Sequence, residues 1–205
     1  MAATSEGARR GRPRDPDIED RVYDAAASLY SQAGWHGFRV DTLARQSGVG
    51  KDAIYRRWSD RVQLLAHVLV ARSLFFDDID TGDTRGDLTL VADLYIAHLT
   101  GPYGNLLHQV LTDRVHYPEV REASDGYYRT LVLAGRRIGR RALRRGDVPS
   151  TAAATLMIDM IIGGIQNHIV TTPRELRTQM QARLPQFRDN LVNAAITGVN
   201  ASSSR

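Results

Sequence analysis

The chain has 205 residues with no cysteine, a length that allows one or two domains, each with its own apolar core. The absence of cysteine excludes disulfides and cysteine-ligated zinc, and the excess of 27 basic over 23 acidic residues suits a nucleic-acid partner better than an acidic one. No segment reads as a membrane span or signal peptide, so we expect a cytoplasmic protein that binds no membrane.

The N-terminal segment, residues 1–14, is expected to be a disordered basic arm. Residues 9–14 read RRGRPR, which resembles an AT-hook. Glycine and proline keep such a segment thin and extended, so arginine can reach the floor of a narrow minor groove. Arg10 and Arg12 are therefore candidate DNA contacts. A solvated basic tail is the alternative.

A first helix is predicted from Asp15 to Gly34. Asp15 can cap this helix, and Pro16 fits its first turn. Apolar residues from Ile18 to Tyr30 recur at helical spacing, which predicts one buried face.

Residues 38–65 predict a helix, a tight turn and a second short helix. The first of these carries an apolar face from Val40 to Ala44, and Gly48 suits the left-handed residue that ends it. In the second, Ile54 and Trp58 are expected to turn inward. Residue Ser59 is expected to cap the helix that follows.

The outer face of the second helix is polar and basic, which suits the major groove of DNA. It offers Lys51, Tyr55, Arg56 and Arg57 as hydrogen-bond donors. An ordinary helical hairpin with a solvated charged face is the alternative from the pattern alone.

The stretches VDTLARQSGV at residues 40–49 and IYRRWSDRVQLL at residues 54–65 resemble the DNA-binding domain of the TetR family of transcriptional regulators. The resemblance implies that three residues approach base edges: Lys51, Asp52 and Ala53. It also implies that three others hold phosphates: Tyr55, Arg57 and Arg61. The family often has a hydroxyl residue where Arg39 and Gly50 stand, and a phosphate contact from Arg39 would replace that interaction.

Six further helices are predicted, with no strand: Arg61 to about Phe76, Asp87–Thr100, Asn105–Val115, Pro118–Arg145 with an irregularity at one of its glycines, Pro149 to about Val170, and Gln186–Thr197. The last is introduced by Leu184-Pro185. We therefore predict an all-α fold. An N-terminal three-helix helix-turn-helix domain spans residues 15–61, and a larger helical effector-binding and dimerisation domain spans residues 62–200.

The resemblance implies that this larger domain binds a small-molecule effector and forms a homodimer through its last two long helices. No motif identifies its pocket, so periodicity alone nominates apolar walls with a few polar tips: Tyr95, His98, Leu107, Leu111, Tyr127, Leu131 and Asp159. Ordinary core packing is the alternative for each of them. For Asp159, an ion pair with a buried arginine is favoured over a ligand contact.

The basic run from Arg136 to Arg145 is interpreted as the solvated end of a helix, in preference to a second DNA site. The histidines show no metal-ligand spacing, although His98 and His108 could meet, and no catalytic or cofactor motif is found. We therefore predict a non-enzymatic repressor without cofactors, released from a palindromic double-stranded DNA operator by a small molecule. The alternatives are an activator, and a ligand-independent or architectural DNA-binding protein.

Overall fold

The computed structural model describes residues 17–76 and 79–201, and within these ranges the only regular secondary structure is helical. The helices are α1 Asp17–Gly37, α2 Val40–Ser47, α3 Lys51–Tyr55, α4 Arg61–Arg72, α5 Thr84–Thr100, α6 Gly104–His116, α7 Pro118–Arg145, α8 Thr151–Thr171 and α9 Arg177–Ala201, with a 3-10 turn at Arg174–Leu176. The predicted all-α fold is confirmed. Arg10 and Arg12 of the predicted arm lie outside the described residues.

The first apolar core lies where α1, α2, α3 and α4 meet. Trp35 and Phe38 are each 2 % exposed, and their rings stack with centroids 6.2 Å apart. Side chains from α6 and from the start of α7, including Leu106 and Val120, complete this core. The N-terminal helices therefore share their core with the larger part of the chain, and α4 belongs to that shared core.

The second core lies between α5, α7, α8 and α9. Ile138 and Met157 are buried where α7 meets α8, and Val192 and Ala195 close the core from α9. Helix α8 is long and apolar enough to cross a membrane by length and composition, yet only 28 % of its most apolar window is buried within this chain. Part of its apolar surface faces outward, at Leu156 and Val170.

Two boundaries of α4 differ from the prediction. Asp60, and not Ser59, caps this helix, because the Asp60 carboxylate accepts a hydrogen bond from the backbone N–H of Gln63 at 2.9 Å. The helix ends at Arg72 because the following segment turns Phe76 into the second core.

The last helix also begins earlier than predicted, at Arg177 instead of Gln186, and it runs through Pro185. Proline removes one helical hydrogen bond and usually ends a helix. Here Met180 and Leu184 are buried against the second core, and this packing offsets the lost hydrogen bond. Helix α7 is continuous, without the irregularity predicted at one of its glycines.

A buried carboxylate ties the basic end of α7 to the start of α5. Asp87 is fully buried. It accepts hydrogen bonds from the backbone N–H of Thr81 at 2.7 Å and from Nη2 of Arg145 at 2.9 Å. Burial acts to raise the pKa of Asp87, but these hydrogen bonds outweigh it and hold the pKa below its ordinary value. Part of the basic run therefore stabilises the fold.

Replacing this carboxylate, Asp87→Ala, should lower the free energy of unfolding by about 3 kcal/mol, because it removes the buried acceptor of the Thr81 N–H and the buried one of the carboxylates that pair with Arg145. Urea unfolding at pH 7 measures the loss. In the native protein the contribution should be present above the unfolded-state pKa of about 3.9, and it should be lost as the pH falls through the lower folded value.

The matched control is Asp93→Ala, which removes a partly exposed ion pair with Arg188. It should cost about 1 kcal/mol or less. Equal losses in the two variants would show that Asp87 has no special structural role.

Candidate nucleic-acid interface and internal cavity

The turn between α2 and α3 fixes the direction of the short helix. Gly48 has φ 67° and ψ 17°, a left-handed conformation that glycine adopts without strain. Ser47 supports the turn, since its hydroxyl donates to the carbonyl of Leu43 at 2.8 Å and accepts from the N–H of Val49 at 3.3 Å. The predicted left-handed end of α2 is confirmed.

Helix α3 packs by one face and exposes the other. Ile54 and Trp58 are each 1 % exposed, and Nε1 of Trp58 donates to Nδ1 of His67 at 3.1 Å. Six residues of the predicted DNA surface are exposed: Arg39, Gly50, Lys51, Asp52, Tyr55 and Arg56. Three others are half-buried beside the same helix: Ala53, Arg57 and Arg61.

An ion pair joins the tip of α3 to the start of α2. Lys51 pairs through Nζ with Asp41, two residues after Arg39. The hydrogen bond from Lys51 holds the pKa of Asp41 below its ordinary value. Both side chains are exposed, so the pair is weak and Lys51 can exchange Asp41 for another acceptor.

Two arginines of this surface are oriented by the protein itself. The guanidinium carbon of Arg61 lies 3.9 Å from the ring centroid of Trp35, and its Nη1 donates to the Trp35 carbonyl at 3.4 Å. Nη1 of Arg57 donates to the carbonyl of Ala53 at 3.2 Å. Because a guanidinium carries five N–H donors, each arginine keeps donors for a phosphate.

A cavity of about 600 Å³ lies between α5, α6, α7 and α8. Most of its lining side chains are apolar, as in many small-molecule sites. Five of the seven residues nominated from the sequence line it: Tyr95, Leu107, Leu111, Leu131 and Asp159.

The other two nominated residues, His98 and Tyr127, are not among the lining residues. Tyr127 is 3 % exposed, and its hydroxyl donates to the carbonyl of Leu74 at 2.9 Å. Burial lowers the pKa of His98. Within residues 17–76 and 79–201, no group of three or more acidic or histidine side chains could hold a metal ion. Periodicity nominated His98 and Tyr127 because each lies within one helical turn of a lining residue.

Few polar groups reach the cavity. The Tyr95 hydroxyl donates to Oε1 of Gln166 at 2.8 Å. Burial raises the pKa of Tyr95 and of Tyr128 to about 12, so both are neutral hydrogen-bonding groups at neutral pH. Asp159 is exposed on α8 and forms no ion pair with any described residue, so the favoured pairing with a buried arginine is wrong.

Helix α6 forms part of the cavity wall and also holds α1. Leu107 and Leu111 line the cavity. Asp113, which is 8 % exposed, accepts hydrogen bonds from the hydroxyl of Tyr30 at 2.9 Å and from the backbone N–H of Trp35 at 2.8 Å. Burial and this hydrogen bond raise the pKa of Tyr30 above its ordinary value. We call these contacts the α1–α6 clamp.

Sequence reasoning missed Asp113, Arg136 and Arg140. Asp113 follows the buried Val110 by three residues, which places its carboxylate on the inner face of α6. This helical spacing could have identified Asp113 as a buried residue. Arg136 and Arg140 are spaced four apart on the same face as Val132, and all three line the cavity. Because both residues belong to the longer basic run, they were interpreted together with it as solvated.

Two family models match the chain. Residues 22–68 match the model described as "Bacterial regulatory proteins, tetR family", and residues 78–186 match "Tetracyclin repressor-like, C-terminal domain". The transcriptional regulator AqdR of Rhodococcus erythropolis is 26 % identical over 193 residues, covering 94 % of this chain and 91 % of AqdR. The transcriptional repressor TetR of Mycobacteroides abscessus is 39 % identical over 65 residues, covering 31 % of this chain and 34 % of that repressor.

A similar solved structure is the transcriptional regulator FadR from Bacillus subtilis in complex with stearoyl-CoA. It superposes with a TM-score of 0.69 and 18 % identity, covering 88 % of this chain and 98 % of the FadR chain. At this identity the likeness concerns the fold: an N-terminal helix-turn-helix followed by a larger helical part.

Gly34 allows α1 to turn against α6, since its φ is 57° inside the α1 segment. A Cβ at this position would lie 2.8 Å from Nε2 of Gln109 and 2.9 Å from Oδ2 of Asp113. Gly34→Ala should therefore lower the free energy of unfolding by about 1–3 kcal/mol, measured by urea denaturation.

The matched control is Gly126→Ala in the middle of α7, where a Cβ would meet nothing within 4 Å. Alanine favours the helix there, so this change should be neutral or stabilising by up to about 1 kcal/mol. Native stability of Gly34→Ala would mean that the junction of α1 and α6 is not tightly packed.

Proposed function

Because the chain belongs to the TetR family of DNA-binding transcriptional regulators, which are not enzymes, we propose that it is a repressor released from a palindromic operator when a small molecule enters the cavity. The α1–α6 clamp is the observation that carries this proposal. Leu107 and Leu111 meet the cavity, and Asp113 on the same helix holds Tyr30 and Trp35 of α1.

A ligand controls DNA binding only if it binds two arrangements of the protein with different affinity. Here a ligand that shifts α6 also shifts the end of α1 through the clamp. Trp35 then carries the movement to Arg61, whose guanidinium it holds by its ring and its carbonyl. The similar fold of FadR, solved with stearoyl-CoA, supports a ligand-binding role for this cavity.

A homodimer through the outward faces of α8 and α9 completes the proposal. Five isoleucines of α8 turn toward the second core or the cavity: Ile158, Ile161, Ile162, Ile165 and Ile169. The outward face instead offers Leu156, 53 % exposed, Val170, 36 % exposed, and Gly163, next to open space. Such an apolar stripe suits contact with a second copy of the chain. To read two half-sites of a palindrome, the dimer must hold its two α3 helices about 34–36 Å apart.

On DNA, the tip of α3 reads base edges through Lys51, Asp52 and Ala53. The phosphates on either side are held by Arg39, Tyr55, Arg56, Arg57 and Arg61, and Gly50 lets the backbone approach. Lys51 leaves Asp41 when it meets a base edge, and this exchange costs little because the ion pair is exposed to solvent. The arm with Arg10 and Arg12 would follow the adjacent minor groove.

Genomic footprinting combined with transcript measurement tests the repressor directly. We expect protection of a short palindrome, because a two-fold dimer reads two half-sites, and higher transcription of the adjacent gene when the protein is removed. Diffuse protection without a palindrome would favour an architectural protein, and lower transcription on removal would favour an activator.

For base reading, Lys51→Ala should weaken operator binding by about 1–3 kcal/mol and random-DNA binding little. Fluorescence anisotropy at several salt concentrations measures both affinities. In the comparison variant, Arg61→Ala, both affinities should fall and the salt slope should decrease by about one unit, because a phosphate contact is lost. If Lys51→Ala weakens both DNAs equally, Lys51 contacts only phosphate.

A further inference from the structure

We propose that the cavity binds an elongated amphipathic anion, with its negatively charged head group at Arg136 and Arg140 and its apolar chain extending toward α6. This inference rests on the proposed control of DNA binding by a ligand and adds the chemical class of that ligand.

The cavity follows two antiparallel helices for about four turns. On α7 its lining runs from Tyr128 to Leu143, and on α8 from Thr151 to Gln166. At about 1.5 Å per residue, each of these stretches is roughly 22 Å long. A volume of about 600 Å³ spread over that length describes a channel, which favours an extended molecule over a compact one.

The pairing of α7 with α8 is fixed by two glycines. A Cβ at Gly135 would lie 3.3 Å from Cγ2 of Ile158, and a Cβ at Gly139 would lie 3.0 Å from Cβ of Ala154. Neighbouring turns therefore face each other in a definite register. The turn of α7 that holds Arg136 lies opposite residues 155–159, and the next turn lies opposite residues 151–155.

The half of the channel farther from α6 carries unbalanced positive charge, since Arg136 lies midway along its α7 lining and Arg140 lies one turn beyond. Arg136 and Arg140 are exposed, line the cavity, and have no ion-pair partner within residues 17–76 and 79–201. Arg145 on the same helix differs, since it is held by Asp87. Asp159 supplies one carboxylate across the channel. Two guanidinium groups against one carboxylate leave a net positive rim, which favours an anion.

The other end of the channel is apolar and reaches α6. Leu107 and Leu111 line it there, near Tyr128 of α7. Two polar side chains at this end, Tyr95 and Gln166, already satisfy each other through a hydrogen bond. A chain anchored at the arginine rim must therefore be long to reach Leu107 and Leu111, so chain length should govern affinity.

Calorimetry without DNA tests the ligand class, using dodecanoate, dodecan-1-ol, dodecyltrimethylammonium and octanoate at concentrations below micelle formation. We expect saturable binding of dodecanoate, about tenfold tighter than the alcohol and tighter still than the cation. Octanoate should bind at least tenfold more weakly than dodecanoate, because four fewer methylene groups are buried.

Charge variants locate the head group. The double variant Arg136→Gln/Arg140→Gln should reduce dodecanoate affinity to that of the alcohol. Arg144→Gln is the matched control, because it removes the same charge from an exposed position on α7 that does not line the cavity, and it should change nothing. Asp159→Asn should tighten dodecanoate severalfold and leave the alcohol unchanged, since it removes the opposing carboxylate.

Three results would overturn the inference: equal affinity for acid and alcohol, an equal loss in Arg144→Gln, or no saturable binding of dodecanoate. Operator binding measured on the same preparation separates this inference from the proposed function. A protein that represses its palindrome but fails these ligand tests remains a repressor with a ligand of another class.

Discussion

Asp113 places a carboxylate at the junction of α6 and α1, where three donors hold it: the Tyr30 hydroxyl, the Trp35 backbone N–H and the Gln109 side chain. A buried carboxylate that loses its donors destabilises the fold by several kcal/mol. The relative position of α6 and the end of α1 is therefore strongly restrained. Gly34 has the left-handed φ and the missing Cβ that this close approach requires. The position of the DNA-binding helices therefore depends on α6.

Trp35 connects this junction to the DNA-binding face. Its N–H holds Asp113, while its ring and its carbonyl hold the guanidinium of Arg61. The cavity wall at Leu107 is therefore connected to Arg61 of the predicted DNA surface through helix α6, Asp113 and Trp35. Arg136 lies about two helical turns along α7 from Tyr128, so a ligand anchored there, as we propose, must extend through the channel to reach α6.

The sequence was sufficient to predict what local patterns encode. The apolar spacing predicted the helices, and Gly48 predicted the left-handed turn. Ile54 and Trp58 are buried as predicted, although Trp58 lies beyond the end of α3. Pro185 misled the prediction of α9, because packing overrode a local rule. The α1–α6 clamp was not predictable, since its hydrogen bonds join residues 78 and 83 positions apart. The cavity was predicted in part: five of the seven nominated residues line it, but on α7 the lining tyrosine is Tyr128 and not its neighbour Tyr127.

The most direct measurement is the coupling between the two sites in the native protein and in Asp113→Asn. Dodecanoate affinity is determined with and without operator, and the ratio is the coupling factor, which must be the same for either ligand. The native protein should show a factor in the usual range of about 5–150. Asp113→Asn should bind each partner alone but show a clearly smaller factor, because a neutral amide oxygen accepts the Tyr30 and Trp35 hydrogen bonds more weakly than a carboxylate oxygen does, and its NH2 group cannot accept from Gln109. An unchanged factor in Asp113→Asn would contradict coupling through the α1–α6 clamp.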